Sequence, residues 1–188
     1  MPMVLDEIYS YIYNLLKVSP AIIYASCLLA FVATKKKIYL VIFFATTFFG
    51  DVMAHVQKKI FKSFLPPHLS ARPCVSISGC DRTSQCGVFP RVDKNHISYG
   101  FPSGHAQISA LAATLFSLYL YRELGKQAYP SIAVLFGLVI LVAWQRIHSN
   151  CHTFLQILFG WFFGVFYACI VWYAIATFNQ TPQPSSKI

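Results

Sequence analysis

Five long apolar stretches separated by short polar turns limit what this chain can fold into more than any other feature. They run from about Leu15 to Thr34, from Ile38 to Met53 with its helical continuation, from Ala106 to Tyr121, from Tyr129 to Trp144 and from Thr153 to Phe178. With its flanks, each supplies the roughly 17 to 25 residues that cross a bilayer as a helix. None carries a polar stripe, and a chain of 188 residues does not enclose enough volume to hide five such helices from water. The expected fold is therefore an all-α polytopic membrane helix bundle with about five transmembrane helices. An N-terminal interfacial helix is expected ahead of them, because between residues 3 and 17 Ile8, Ile12, Leu15 and Leu16 oppose Asp6, Glu7 and Asn14 at helical spacing. Residues 1–188 read as one domain with a long loop at 63–102.

The formal charge of +9 would ordinarily raise nucleic acid as a partner, but the bases are not spread along a solvent face. Lys35, Lys36 and Lys37 share one tight turn, Arg122 and Lys126 another, and most of the rest lie between Lys58 and Lys94. That is the pattern of interfacial anchors plus one basic pocket, which favours phosphate on or near a lipid and no nucleic acid. The opening MPMVLDEIYSYIYNLLKV is acidic early and lacks a short apolar core with a cleavage site, so no cleavable signal peptide is expected. Cys74, Cys80, Cys86 and Cys151 fall in water-facing segments, enough for two disulfides in an oxidising compartment. Zinc is the competing reading, and the Cys-x5-Cys-x5-Cys spacing lacks the close pairs of a zinc knuckle. Cys27 and Cys169 lie inside spans as small apolar residues.

The polar residues collect at one place. Gly100-Phe101-Pro102-Ser103-Gly104-His105-Ala106-Gln107 is where the long loop becomes an apolar helix, with Ser103 as N-cap and the first N–H groups free to meet an anion. Asp51, His55, Lys58, Lys59 and Lys62 recur at three- and four-residue steps, so where the second helix continues past its apolar stretch they form one polar stripe running out of the membrane. Counting crossings brings Lys59, Lys62, Arg72, Ser103, His105, Arg146 and His152 to one face of the bundle, although they come from four parts of the chain.

These residues resemble the type 2 phosphatidic acid phosphatase superfamily, whose members include lipid-phosphate phosphatases, polyprenyl- and dolichyl-diphosphate phosphatases and glucose-6-phosphatases. Its pattern is a lysine, six residues and Arg-Pro; then Pro-Ser-Gly-His; then Ser-Arg, five residues, His, three residues, Asp. Here it reads Arg72-Pro73, Pro102-Ser103-Gly104-His105 and Arg146-x5-His152. There are three departures. Leu65 stands at the lysine position, so Lys59 and Lys62 are the candidates; Gln145 replaces the serine; Gln156 replaces the aspartate.

The resemblance implies that His152 attacks phosphorus to give a phosphohistidine and that His105 protonates the leaving group. Lys59 or Lys62, Arg72, Ser103, Gly104 and Arg146 would hold the phosphate. The chemistry has its own logic: a phosphate dianion needs fixed positive donors before charge moves to the leaving oxygen, and arginine's planar fork suits two phosphate oxygens at once. No metal or other cofactor is required when those cations fill the role. Gln156 lies one turn after His152 and can accept its ring N–H, so Gln156→Asp is expected to keep or raise activity. The substrate expected is a membrane lipid phosphate or isoprenoid (dolichyl- or undecaprenyl-type) diphosphate. The alternatives are a glucose-6-phosphatase-like sugar phosphatase, or a catalytically degenerate lipid-binding or structural membrane protein. The location expected is a multi-pass protein of the endoplasmic reticulum or plasma membrane, with its site on the lumenal or exterior side.

Overall fold

The computed structural model describes residues 2–73, 86 and 99–180. Helix α1 (Pro2–Lys17) stops at Val18, where the chain bends by 71° into α2 (Ser19–Thr34). Pro20 lies in the first turn of α2, where its missing N–H breaks no helical bond. The first apolar stretch is thus not one straight span, and Leu15 and Leu16 belong to α1. Lys35 ends α2 in the left-handed conformation at φ 57°, its N–H bonded to Phe31 O at 2.8 Å. The chain then returns as α3 (Lys37–Phe64), and the rings of Tyr24 and Phe43 meet at 6.0 Å across the hairpin.

Midway along α3 a π-helical segment, Thr46–Val52, interrupts the regular ladder. Such a widened turn leaves carbonyls short of donors. Thr46 and Thr47 turn their hydroxyls back onto Ile42 and Phe43 carbonyls, and Gln107 donates its Nε2 to Phe49 O at 2.6 Å. A short turn of helix, Pro67–Ser70, follows.

Gly104–His148 is 45 residues of continuous helical backbone, roughly 68 Å if straight and far longer than a bilayer needs. It is two rods, α4 (Gly104–Leu124) and α5 (Tyr129–His148), folded back at Gly125, whose φ is 58°. The core contacts have antiparallel register: Ala106 packs with Ala143, and Ala110 and Ala113 with Val139 and Leu135. Lys36 Nζ reaches Tyr119 OH at 3.1 Å, so the α2–α3 turn lies beside the end of α4, at the same end of the bundle as the α4–α5 turn.

Helix α6 (Phe154–Gln180) packs along α4 more closely than any other pair. A Cβ built on Gly160 would lie 2.6 Å from Ser103 O, and one on Gly164 2.5 Å from Gln107 O and 2.9 Å from Ala110 Cβ. The Gly-x3-Gly step on α6 thus faces the small residues Ala106 and Ala110 of α4, the device by which membrane helices approach closely.

Large apolar side chains such as Leu29, Phe44, Val134, Ile140 and Phe162 stay exposed on the rods. Only 28%, 22% and 28% of the apolar windows of α3, α4–α5 and α6 are buried within the bundle. Lipid must cover the rest, and the protein is a multi-pass membrane protein of all-α class.

Candidate active site

At the end away from the basic turns, three separated segments close on one side chain. Thr153 and Gln156 form a capping box at the start of α6: Gln156 N–H donates to Thr153 Oγ1 and Thr153 N–H to Gln156 Oε1, both at 3.3 Å. Gln156 Nε2 donates to Leu69 O at 3.0 Å and Ala71 O at 2.8 Å, immediately before Arg72. Gln156 O accepts the Ser103 N–H at 2.9 Å. The Arg72-Pro73, Pro102–His105 and His152 segments are thereby tied together through one buried residue.

Those bonds fix the amide. Both Nε2 hydrogens go to carbonyls, so Oε1 must be the acceptor toward His152 Nδ1 at 3.1 Å. His152 therefore carries its proton on Nδ1 and keeps a lone pair on Nε2, which accepts from Arg72 Nη1 at 3.2 Å. Burial, then Arg72, Arg146 and Lys58, push the His152 imidazole well below its ordinary range. The ring is a neutral imidazole whose unprotonated nitrogen faces a cation. Arg72 also donates to Cys151 O at 3.0 Å, and burial pushes its guanidinium down only to about 10, so it stays charged at neutral pH.

Arg146 is fully buried. Its Nη1 donates to Gln145 Oε1 at 3.3 Å and its Nη2 to Cys86 O, while its Nε has no hydrogen-bond partner among the described residues. Gln145, at the serine position of the family pattern, thus contacts the arginine. The Cys86–Cys151 disulfide, with Cα atoms 5.5 Å apart, brings the Cys86 carbonyl to Arg146. Cys74 and Cys80 lie outside the described residues.

Ser103 caps α4, its Oγ accepting Ala106 N–H at 3.5 Å, and the Phe101–Pro102 peptide is cis. His105 donates from Nε2 to Lys17 O at 3.0 Å. A Cβ on Gly104 would sit 3.7 Å from Lys58 Nζ, and a Cβ on Gly100 would meet Gln156 Oε1 at 2.5 Å. Both glycines keep space that the site uses.

The lysine differs from the sequence expectation. Lys59 is exposed, and Lys62 lies over the Tyr99 ring at 4.6 Å, whereas Lys58 borders Gly104 and contributes to the field at both histidines. The reason is helical phase. Ala54, Lys58 and Phe61 share the α3 face toward the bundle, Ala54 being buried and Phe61 meeting Phe101 at 4.9 Å, and Lys59 lies off it, while Lys62, one turn beyond Lys58, is taken up by the Tyr99 ring. That face was legible in the apolar phase of the helix, which sequence reading passed over in favour of distance to Arg72.

Asp51 is engaged by His55 at 3.3 Å. His68 is exposed, and His148 stacks on Trp144 at 5.3 Å. Sequence reading also missed the Gly160–Gly164 step and the carbonyls of Lys17, Leu69 and Ala71. Only the glycine step had a signal in sequence, Gly-x3-Gly in an apolar helix.

The arrangement presents a neutral imidazole nitrogen, a second histidine and the cations Arg72, Arg146 and Lys58, with the α4 N-terminus beside them. The segments that build it match a known family. The PAP2 superfamily model matches residues 35–180, which include every residue named here except Lys17. Dolichyldiphosphatase 1 of Dictyostelium discoideum is 34% identical over 92 residues, covering 45% of this chain and 39% of that protein. The chain thus matches well under half the length of that relative. No solved structure matches it. Since the family match takes in α3 to α6 and all three motif segments, the chain belongs to the PAP2 superfamily.

Proposed function

We propose that this protein is a membrane phosphatase that hydrolyses a lipid phosphate or an isoprenoid diphosphate through a phosphohistidine. The observation that carries the reading is His152 held by Gln156 with its Nε2 free of hydrogen and 3.2 Å from Arg72 Nη1. His152 Nε2 attacks phosphorus as the bond to the leaving oxygen breaks, and Arg72, Arg146 and Lys58 take up the charge on the equatorial oxygens. The entering phosphate dianion favours the charged ring of His105, which gives its Nδ1 proton to the leaving oxygen while Nε2–H stays on Lys17 O, and then takes a proton from the water that attacks the phosphohistidine, which returns His152 and releases inorganic phosphate. The exposed apolar rods and the name of the Dictyostelium relative both favour a substrate whose tail lies in the bilayer.

The site faces the lumen or the exterior in this reading. Lys35–Lys37, Arg122 and Lys126 mark the other end as cytosolic, and a disulfide at the site end fits an oxidising compartment.

The test uses purified full-length protein in lipid nanodiscs with chelator present. Phosphate release from phosphatidic acid or a polyprenyl diphosphate, but not from glucose 6-phosphate, is expected, with an acid-labile phosphoprotein that His152→Ala abolishes. Release by the wild type that survives His152→Ala would overturn the mechanism, and no release from any of these would overturn the activity.

A further inference from the structure

The end of the bundle away from the reaction centre carries two clefts that no step of the proposed chemistry uses. One, of about 670 Å³, runs along α3 below the Lys35–Lys37 turn, and Lys35 and Lys37 are its only polar lining residues, among apolar side chains that include Phe31, Leu40, Phe44 and Phe48. The second, of about 420 Å³, lies between the start of α3 and the C-terminal halves of α4 and α6, where Lys36, Lys37, Tyr119, Arg122 and Trp172 line it. Lys37 and Val41, one turn apart on α3, belong to both, so the polar cleft adjoins the apolar one.

The two clefts suit the two halves of one amphiphile. In the polar cleft Lys36 Nζ is placed by Tyr119, whose OH lies 3.1 Å away and whose ring centroid lies 5.8 Å away, and this leaves two of its three N–H groups for a ligand. Four cations, Lys35, Lys36, Lys37 and Arg122, line the clefts against one acid, Glu123, whose charge acts on Lys36. Tyr119 and Trp172 mark headgroup depth, where the aromatic rings of membrane helices collect. From Lys37 to Phe48 the apolar groove follows α3 for about 16 Å at helical rise, about the depth of one leaflet in a hydrocarbon core of roughly 30 Å. It ends in the π-helical segment, where the rings of Phe48 and Phe49 meet edge to face at 5.0 Å, and Phe44 and Phe48 stay exposed along it. A second copy of the chain seated here by a twofold axis would set these cations against their own counterparts.

We propose that the two clefts form one binding site for a phospholipid of net negative charge in the leaflet opposite the reaction centre, with its phosphate on Lys36, Lys37 and Arg122 and one acyl chain along the groove to Phe48. A basic pocket between membrane helices suits such a headgroup, whereas a zwitterionic lipid brings its own cation to a place that already carries excess positive charge. The site stands apart from the reaction centre and does not depend on phosphate release.

The test is native mass spectrometry of the full-length protein in detergent, titrated with phosphatidylglycerol or with phosphatidylcholine of the same chains. Phosphatidylglycerol is a phosphodiester without a terminal phosphate, so a phosphatase does not consume it. Wild type should bind it more tightly than phosphatidylcholine by about tenfold or more, and Lys36→Ala/Lys37→Ala/Arg122→Ala should bring the two within about twofold. Lys59→Ala/Lys62→Ala/Lys126→Ala removes the same charge outside both clefts and should keep the preference. No preference in wild type, a preference that survives the first triple variant, or equal loss in both triple variants overturns the site, the last because diffuse charge then accounts for binding. Placement is read in wild type alone. Phosphatidylglycerol with a diazirine at its chain end should label the peptides that carry Phe44 to Phe49 or Val171. Label no heavier there than at Phe116 and Leu135, in an apolar cleft that no cation lines, refutes the proposal.

Discussion

Replacing Gln156 by glutamate separates two roles that a glutamine can have in this site. Glutamate keeps the reach and offers His152 Nδ1 and Thr153 N–H a better acceptor, so orientation of the nucleophile alone predicts turnover at or above wild type. The structure predicts the opposite. Gln156 Nε2 donates to Leu69 O and Ala71 O, and a carboxylate oxygen there faces two carbonyls it cannot donate to. Two hydrogen bonds at about 1 kcal/mol net each give about 2 kcal/mol, or about thirtyfold in rate if the whole cost falls on the loop carrying Arg72. The cost of burying a charge beside them adds to that. Protonation of the introduced carboxyl restores one donor, so phosphate release by Gln156→Glu should rise relative to wild type as the pH falls from 8 to 5. His152 does not confound this range, because burial and its cationic neighbours hold it neutral well below the ordinary imidazole value. Gln156→Asp, which the sequence alone leads one to expect would keep or raise activity, loses the reach and both carbonyl bonds and should be worse. Initial rates of both variants across that pH range decide the matter, and a Gln156→Glu variant as active as wild type at pH 8 would refute the role of the two carbonyl bonds.

Four further outcomes follow from the same geometry. Gly164→Ala should lower the Tm, because its Cβ falls 2.5 Å from Gln107 O, while Gly137→Ala, with nothing within 4 Å, should be neutral or stabilising by up to about 1 kcal/mol. His152 stays neutral when folded and titrates normally when unfolded, so its contribution to stability is complete above about pH 6.5 and is lost as the pH falls toward the lower folded value; the Tm of wild type should drop below that pH more steeply than that of His152→Asn. Single cysteines at Lys36 and His68 should label from opposite sides of sealed vesicles, and labelling of both from one side would overturn the span order. Arg72→Lys and Gln156→Glu should show a coupling of at least about 0.5 kcal/mol in a double-mutant cycle on kcat/KM, and additivity would mean that Gln156 does not position Arg72.

The parts legible in sequence were those with a period or a fixed spacing. Apolar runs revealed the rods, and Pro102–His105 with Arg146-x5-His152 revealed which ends meet, because helix hairpins leave little choice of end. The break at Val18 was not legible. Leu15 and Leu16 continue the apolar run smoothly, and only the packing of Tyr9 and Tyr13 against α5 shows why α1 turns away from α2. Linear distance to Arg72 points to Lys59 and Lys62, whereas the folded helix brings Lys58 to Gly104, a juxtaposition that spacing along the chain does not show. The partners of Gln156 were out of reach altogether, since backbone carbonyls carry no residue-specific signal.

That last gap explains two departures from the family pattern together. Pro66 and Pro67 insert a one-turn helix between the lysine-bearing α3 and Arg72, and a helix that short leaves its final carbonyls without intrahelical donors. Ser70 O takes the Gly100 N–H at 2.8 Å, next to the isolated Ala71–Tyr99 bridge. Leu69 O and Ala71 O remain, part-buried beside Gln156, and an aspartate at 156 would have nothing to give them. An amide satisfies both and still presents an acceptor to the imidazole. The displaced lysine and the glutamine are thus one structural change: lengthening the approach to Arg72 created two acceptors, and position 156 carries the side chain that answers them while keeping the nucleophile's tautomer.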